Sequence, residues 1–329
     1  MLKVIPVERA IGLPLAHDIT EIVPGKHKGP AFRRGHIIRP EDVARLLDVG
    51  KAHIYVMELE KGELHEEDAA RRLASAAAGP NIRLTEPVEG RVNLVAAIEG
   101  LLKVDTERLF RLNALGNLIL ATLRGDRYVK RGTVLAGTRT IPVVVREELI
   151  EQAEALCAGK PIVAVLPMPP RRVHLIVTGS EVFTGRIKDG FEPVVRRKLN
   201  DMGSDLASVK IAPDDPDVIA GHINEARRAG AELILVSGGM SVDPDDKTPE
   251  GIRRSGAQIE THGFPVLPGS MFLMAYLGET PVLGLSGCVL HDPVTAFDTL
   301  LPRLLAGERI TRTDILALGH GGLQAKHDH

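Results

Sequence analysis

The stretch AELILVSGGMSVDPDD, residues 231–246, opens as an apolar run, breaks on Gly238 and Gly239, and then carries Ser241, Asp243, Asp245 and Asp246. A short apolar run closed by turn residues reads as a buried strand. Upstream, DPDVIAGHINEARRAG (215–230) has Asp215 at an N-cap, Pro216 at the first helical position, an Ile219/Ile223/Ala226 stripe and Gly230 as a stop. The same grammar extends both ways. VHLIVTGSE (173–181) is a strand ending in a turn, FEPVVRRKLNDMG (191–203) a helix stopped by Gly203, and LASVKIAPDD (206–215) a strand. KTPEGIRRSG (247–256) reads as a short helix capped by Thr248, TPVLGLSG (280–287) as a strand, and DPVTAFDTLLPRLLAG (292–307) as a closing helix entered at Asp292-Pro293. Strands alternating with helices at this spacing predict an α/β fold with a mostly parallel, doubly wound sheet.

The first half has no such rhythm. RPEDVARLLDVG (39–50), HEEDAARRLASAAAG (65–79) and REELIEQAEALCAG (146–159) predict helices, and HIYVMEL (53–59) a strand. Residues 89–123 read as mixed strand and helix, and RGTVLAGTRTIPVVV (131–145) as two strands around a Gly-Thr turn. LPMPPRRV (166–173) is a connector, because three prolines within a few residues disfavour a continuous helix. The expected organisation is an α+β accessory domain over 1–167, an α/β domain over 172–310 and a tail over 311–329.

Composition narrows the function. With 329 residues and 44% hydrophobic content the chain is long enough for two buried cores. Its 41 basic and 43 acidic residues nearly cancel, leaving no polybasic field for nucleic acid or a membrane surface. Seven Phe, three Tyr and no Trp leave little for base stacking. Cys157 and Cys288 lie far apart without a second ligand pair, so neither a disulfide framework nor a zinc site is indicated. The N-terminal stretch lacks the apolar core of a signal peptide and no run approaches membrane-spanning length, which points to a cytoplasmic protein.

In open α/β sheets, ligands bind beyond the carboxyl ends of the strands. Those ends carry Thr178, Gly179, Ser180 and Glu181; then Asp214 and Asp215; then Ser237, Gly238, Gly239, Ser241, Asp243 and Asp246; and finally Ser286 and Gly287. Glycines let a ligand approach the backbone, and successive N–H groups cradle an oxyanion such as phosphate. Carboxylates beside an anion repel it unless they hold a divalent cation or accept from a polar ring. Each element alone has a plain structural reading: a tight turn, an N-cap at Asp215, a solvated acid at Asp214, a surface turn at 244–246. Their convergence on one sheet edge points to a ligand, with the bare turn for a phosphate and the acids for a metal or a pterin- or purine-like ring.

VTGSEV, IAPDDPDVI, LILVSGGMSVDPDDKTPEGI, VLPGS and GLSGC…DPVTAFDTLLPRLLAG together resemble the molybdopterin-binding domain of MogA/MoeA-type molybdenum cofactor biosynthesis proteins, in the right order over roughly residues 172 to 309. The resemblance implies a three-layer α/β/α domain. It implies molybdopterin, free or adenylylated, as ligand or substrate, with Mg2+ as a metal and molybdate as a further substrate. Carried over by motif, Glu181, Asp214 and Asp246 are the catalytic candidates. Thr178, Gly179, Ser180, Asp215, Ser237, Gly238, Gly239, Ser241, Ser286 and Gly287 hold the cofactor, and Asp243 with Asp246 the metal.

The chain also departs from that pattern. Asp243 stands where the molybdate-inserting branch has Gly. Pro268-Gly-Ser-Met271 replaces Pro-Gly-Lys-Pro, so the lysine is missing, and Ser286 stands where Leu-Pro-Gly-Asn-Pro has its Pro. A lysine there would offer fixed positive charge to an oxyanion; Lys247 is the nearest substitute. Two functions follow: an enzyme of cofactor maturation that inserts molybdate or adenylylates molybdopterin, or a non-catalytic carrier or sensor that delivers cofactor. A hydrolase of the competence-damage type is a third. Residues 35–56 resemble the Gly-rich piece that precedes the binding domain in longer relatives, placed far earlier here. The first half is expected to serve dimerisation, within a homo-oligomer, or docking of a client molybdoenzyme.

Overall fold

The structure, a computed structural model, describes residues 2–23, 27–57, 59–241, 243–244 and 246–324. Asp245 and the 325–329 part of the expected tail lie outside the described residues. The chain divides into two compact units: one of residues 1–98, 103–125 and 131–165, the other of 99–102, 126–130 and 166–329.

In the second unit the strands β1 (Arg172–Thr178), β2 (Asp205–Ala212), β3 (Leu233–Ser237), β4 (Gln258–His262), β5 (Leu273–Leu277) and β6 (Thr280–Leu285) form one six-stranded sheet. Their spatial order is β2-β1-β3-β6-β5-β4. The first four strands in that order run parallel; β5 and β4 are antiparallel additions at one edge. The helices are α1 (Ser180–Phe183), α2 (Phe191–Asn200), α3 (Pro216–Arg228), α4 (Thr248–Arg254), α5 (Ala296–Leu305) and α6 (Arg312–Ala317).

Strand alternation sorts the core into two layers. Val173, Leu175 and Val177 pack with Phe191, Val195 and Leu199 of α2 and Leu300, Leu301 and Leu304 of α5. Ile176, Ile234 and Val236 face the other way, against Ile219 and Ile223 of α3 and Ile252 of α4. The result is the expected α/β/α sandwich with a mostly parallel sheet. Continuous burial of Leu233–Ser237 follows from helices on both faces.

Local chemistry explains most element ends. The Asp215 carboxylate accepts from the N–H groups of Asp217 (2.8 Å) and Val218 (3.3 Å), capping α3. Gly230, at φ +80°, ends the turn after it.

Three sequence expectations are corrected. Thr248 does not cap α4 but is its first residue, its hydroxyl turned inward to Thr178. Helix α5 is not entered at Asp292-Pro293. It starts after Thr295, where a reciprocal capping box with Asp298 satisfies both backbone N–H groups. In the first unit, residues 131–145 do hold two strands, Val134–Thr140 and the start of Val144–Arg146, but the break falls at 141–143, with Gly137 and Thr138 inside the first strand rather than at a turn. Pairing on both sides holds that first strand extended. The strands β4 and β5 are additions to the sequence reading.

The first unit contains an antiparallel four-stranded sheet of Ile82–Leu84, Arg91–Ala96, Val134–Thr140 and Leu118–Thr122, with helix Glu66–Ala77 on it. Leu2–Pro6 pairs with His53–Met57, and Val7, Leu15, Ile19, Ile38, Leu46 and Ile54 form a small core there. Among the described residues no helix is long and apolar enough to cross a membrane.

Candidate functional site

The carboxyl ends of β1, β2, β3 and β6 converge as the parallel topology requires. At the centre stands the Gly238–Gly239 turn, with φ of +89° and +54°. Both angles lie in the left-handed region that glycine enters without cost. Gly238 is also needed for packing: a Cβ there would sit 2.3 Å from the Thr178 carbonyl oxygen. The first glycine therefore brings two loops together as well as baring backbone.

The acids are tied into the loops. The Ser180 N–H donates to Asp214 Oδ2 at 2.7 Å, and the Asp214 N–H returns a 3.4 Å bond to Ser180 Oγ, clasping the first two loops. The Ser241 N–H donates to Asp246 Oδ2 at 2.7 Å, and the Asp246 N–H to the Asp243 carbonyl at 3.0 Å. Glu181 is exposed and folds back over Gly179, its Oε1 3.0 Å from where a Cβ would stand. Lys247, the candidate stand-in for the missing lysine, donates to the Pro244 carbonyl of its own loop at 2.5 Å.

These loops enclose a cleft of two lobes. The first, about 600 Å³, is lined by Thr178, Gly179, Glu181, Asp189, Asp214 and Asp243, with Lys188 at its wall. The second, about 540 Å³, is lined by Met240, Pro268–Met271, Ser286, Gly287 and Cys288 and, among the described residues, by no Lys, Arg or His. Gly238, Gly239, Ser241, Asp246, Phe191 and Leu290 line both. In the second lobe the Cys288 thiol lies 3.1 Å from Ser286 Oγ, and burial pushes its pKa above the ordinary value against the pull of that bond.

Eleven of the expected residues thus share one cleft: Thr178, Gly179, Glu181, Asp214, Gly238, Gly239, Ser241, Asp243, Asp246, Ser286 and Gly287. Three do not line it. Ser180 acts through its clasp with Asp214, Asp215 caps α3, and Ser237 is fully buried with its hydroxyl unpartnered. Asp189 is an addition that sequence reasoning missed. Its carboxylate accepts from the Phe191 N–H (2.7 Å) and the Glu192 N–H (3.0 Å) at the start of α2 while lining the first lobe. An acid two residues before a helix is the signal that could have found it. Among the described residues no group of three or more His, Cys, Asp or Glu side chains converges as a metal site.

Residues 174–306 match the family described as probable molybdopterin binding domain, and residues 4–58 match a domain of unknown function. The chain is similar to a molybdopterin molybdenumtransferase of Synechococcus elongatus, 29% identical over 153 residues, covering 44% of this chain and 38% of that protein. It is also similar to a CinA-like protein of Mycobacterium avium, 36% identical over 83 residues, 25% of this chain and 19% of that protein. The matched region therefore spans well under half the length of these relatives. Among solved structures it is similar to the molybdopterin biosynthesis enzyme MoaB from Thermus thermophilus. That likeness has 24% identity and a TM-score of 0.36 over 42% of this chain and 98% of that one. The motifs that suggested the family lie within the matched segment, so residues 174–306 carry the match to the probable molybdopterin binding domain family.

Proposed function

We propose that the cleft binds molybdopterin and that the chain acts in molybdenum cofactor biosynthesis or maturation. The observation that carries this reading is the cleft itself, which joins a glycine turn to a carboxylate-lined lobe. Among the described residues the N–H groups of Gly239 and Met240 donate to no protein acceptor, which suits the phosphate of such a ligand. Glu181, Asp214 and Asp246 suit the N–H groups of a pterin ring, because ionised carboxylates are acceptors only.

Mg2+ fits as well. It is commonly held by one or two carboxylates together with substrate phosphate oxygens; Asp246 has one oxygen left over from its loop bond, and Asp243 lines the same lobe. The ion would neutralise phosphate charge beside the acids. Held in that way, molybdopterin would present its dithiolene for molybdate insertion, or its phosphate for adenylyl transfer.

A carrier or sensor is the second reading, and one observation favours it: among the described residues the second lobe has no basic side chain on its wall. An incoming molybdate oxyanion would meet backbone N–H groups, hydroxyls, the Cys288 thiol and the Asp246 carboxylate there, with no basic side chain among the described residues to offset its charge. Titration of the purified chain with molybdopterin and with its adenylylated form, each with and without Mg2+ and molybdate, tests both. Release of AMP on adding molybdate supports insertion. Tight binding without conversion supports the carrier. Failure to bind either form would overturn the proposal.

A further inference from the structure

The Gly238–Gly239 turn rests on two buried threonines, Thr178 and Thr248, 3% and 0% exposed. The Thr178 hydroxyl donates to the Ser237 carbonyl at 3.0 Å and shares a 2.9 Å bond with the Thr248 hydroxyl. A hydroxyl has one proton, so with that of Thr178 spent on Ser237, Thr248 is the donor in the shared bond. The Thr248 backbone N–H donates to the Gly239 carbonyl at 3.3 Å. Two carbonyls of the turn, those of Ser237 and Gly239, are therefore drawn back toward the threonine pair.

In a trans peptide the C=O and N–H of one unit point in opposite directions. Turning the Gly239 carbonyl to Thr248 directs the Met240 N–H to the other side of that unit, and Met240 lines the second lobe. A carbonyl facing the cleft would repel an anion, whereas an N–H attracts one. Thr248 touches the turn closely: a Cβ on Gly239 would stand 2.9 Å from its Oγ1.

We propose that the Thr178–Thr248 pair sets the polarity of this turn, holding its carbonyls back so that N–H groups meet an anionic, phosphate-type ligand group, with Thr248 as the positioning residue. Thr248 makes no capping bond for α4: its hydroxyl braces Thr178, which holds the Ser237 carbonyl, while its backbone N–H holds the Gly239 carbonyl, so loss of the hydroxyl would act on the turn through Thr178. The inference rests on the proposed function only in taking the cleft to receive a phosphate.

The test uses the full chain and inorganic phosphate as probe, followed by amide NMR. In the wild type, phosphate is expected to shift the Gly239 and Met240 amides saturably. Thr248→Val keeps the branched shape but loses the hydroxyl, and is expected to weaken that phosphate affinity about tenfold with the melting transition still cooperative. Thr248→Ser, which keeps the hydroxyl, is expected to stay within about threefold of wild type. Wild-type affinity in Thr248→Val would overturn the inference. So would phosphate shifts confined to other amides, a result that stands even if Thr248→Val does not fold. Parallel titration with molybdopterin separates the two claims. Phosphate binding at the turn without molybdopterin binding sinks the proposed function and leaves the threonine pair. Equal molybdopterin binding by wild type and Thr248→Val does the reverse.

Discussion

Asp246 closes its own loop: its carboxylate accepts a 2.7 Å hydrogen bond from the backbone N–H of Ser241, five residues earlier. The acid that the sequence nominates for chemistry therefore also shapes the turn that would hold the ligand. Asp246→Ala is expected to cost about 1 kcal/mol, the scale of one partly exposed hydrogen bond to a charged group. Asp246→Asn keeps an acceptor and is expected to fall between. Glu181→Gln, at an exposed side chain, is expected to leave stability unchanged while lowering molybdopterin affinity. Urea denaturation and ligand titration of the three variants check this; equal affinity in all of them would remove both acids from the site.

Gly238 offers a sharper structural prediction. A methyl group there would meet the Thr178 carbonyl oxygen at 2.3 Å, and the residue sits at φ +89°. Gly238→Ala is expected to destabilise the fold by about 2–4 kcal/mol, combining left-handed strain with displacement of backbone. A loss under about 1 kcal/mol in chemical denaturation would show that the turn relaxes freely.

Ser237 predicts the opposite sign. Its hydroxyl is fully buried and has no hydrogen-bond partner. An unsatisfied buried hydroxyl costs free energy, so Ser237→Ala is expected to leave stability equal or raise it by up to about 1 kcal/mol. A clear decrease in the melting temperature would mean that the hydroxyl has a partner, such as a bound water.

Asp314 predicts a loss of stability in acid. Burial alone would raise its pKa, but hydrogen bonds from Thr311 and then Arg303 outweigh this and hold it at about 2. A carboxylate depressed on folding stabilises above its unfolded pKa and loses that contribution as pH falls through the folded value. About 2 kcal/mol should therefore disappear between about pH 4 and pH 2. Denaturant midpoints measured across that window are expected to drop less steeply in Asp314→Asn. An identical slope in the variant would assign the acid sensitivity to other groups.

Much of this molecule was legible in its sequence. Strands such as Leu233–Ser237 and helices such as Pro216–Arg228 follow from short-range chemistry: apolar periodicity, an Asp-Pro start and a glycine stop. The eleven cleft residues could be nominated because parallel topology sends the carboxyl ends of β1, β2, β3 and β6 to one edge. Motif order carried the family.

What only the tertiary structure decided is how each nominated group is used. Asp215 and Asp214 are neighbours in the chain, yet one caps a helix and the other clasps Ser180. Thr248 looks like a cap in sequence, but its hydroxyl meets Thr178, seventy residues away. The physical reason is that capping and periodicity are decided within one or two turns of chain. The partner of a buried hydroxyl or carboxylate depends on which distant loops the sheet brings within hydrogen-bond reach.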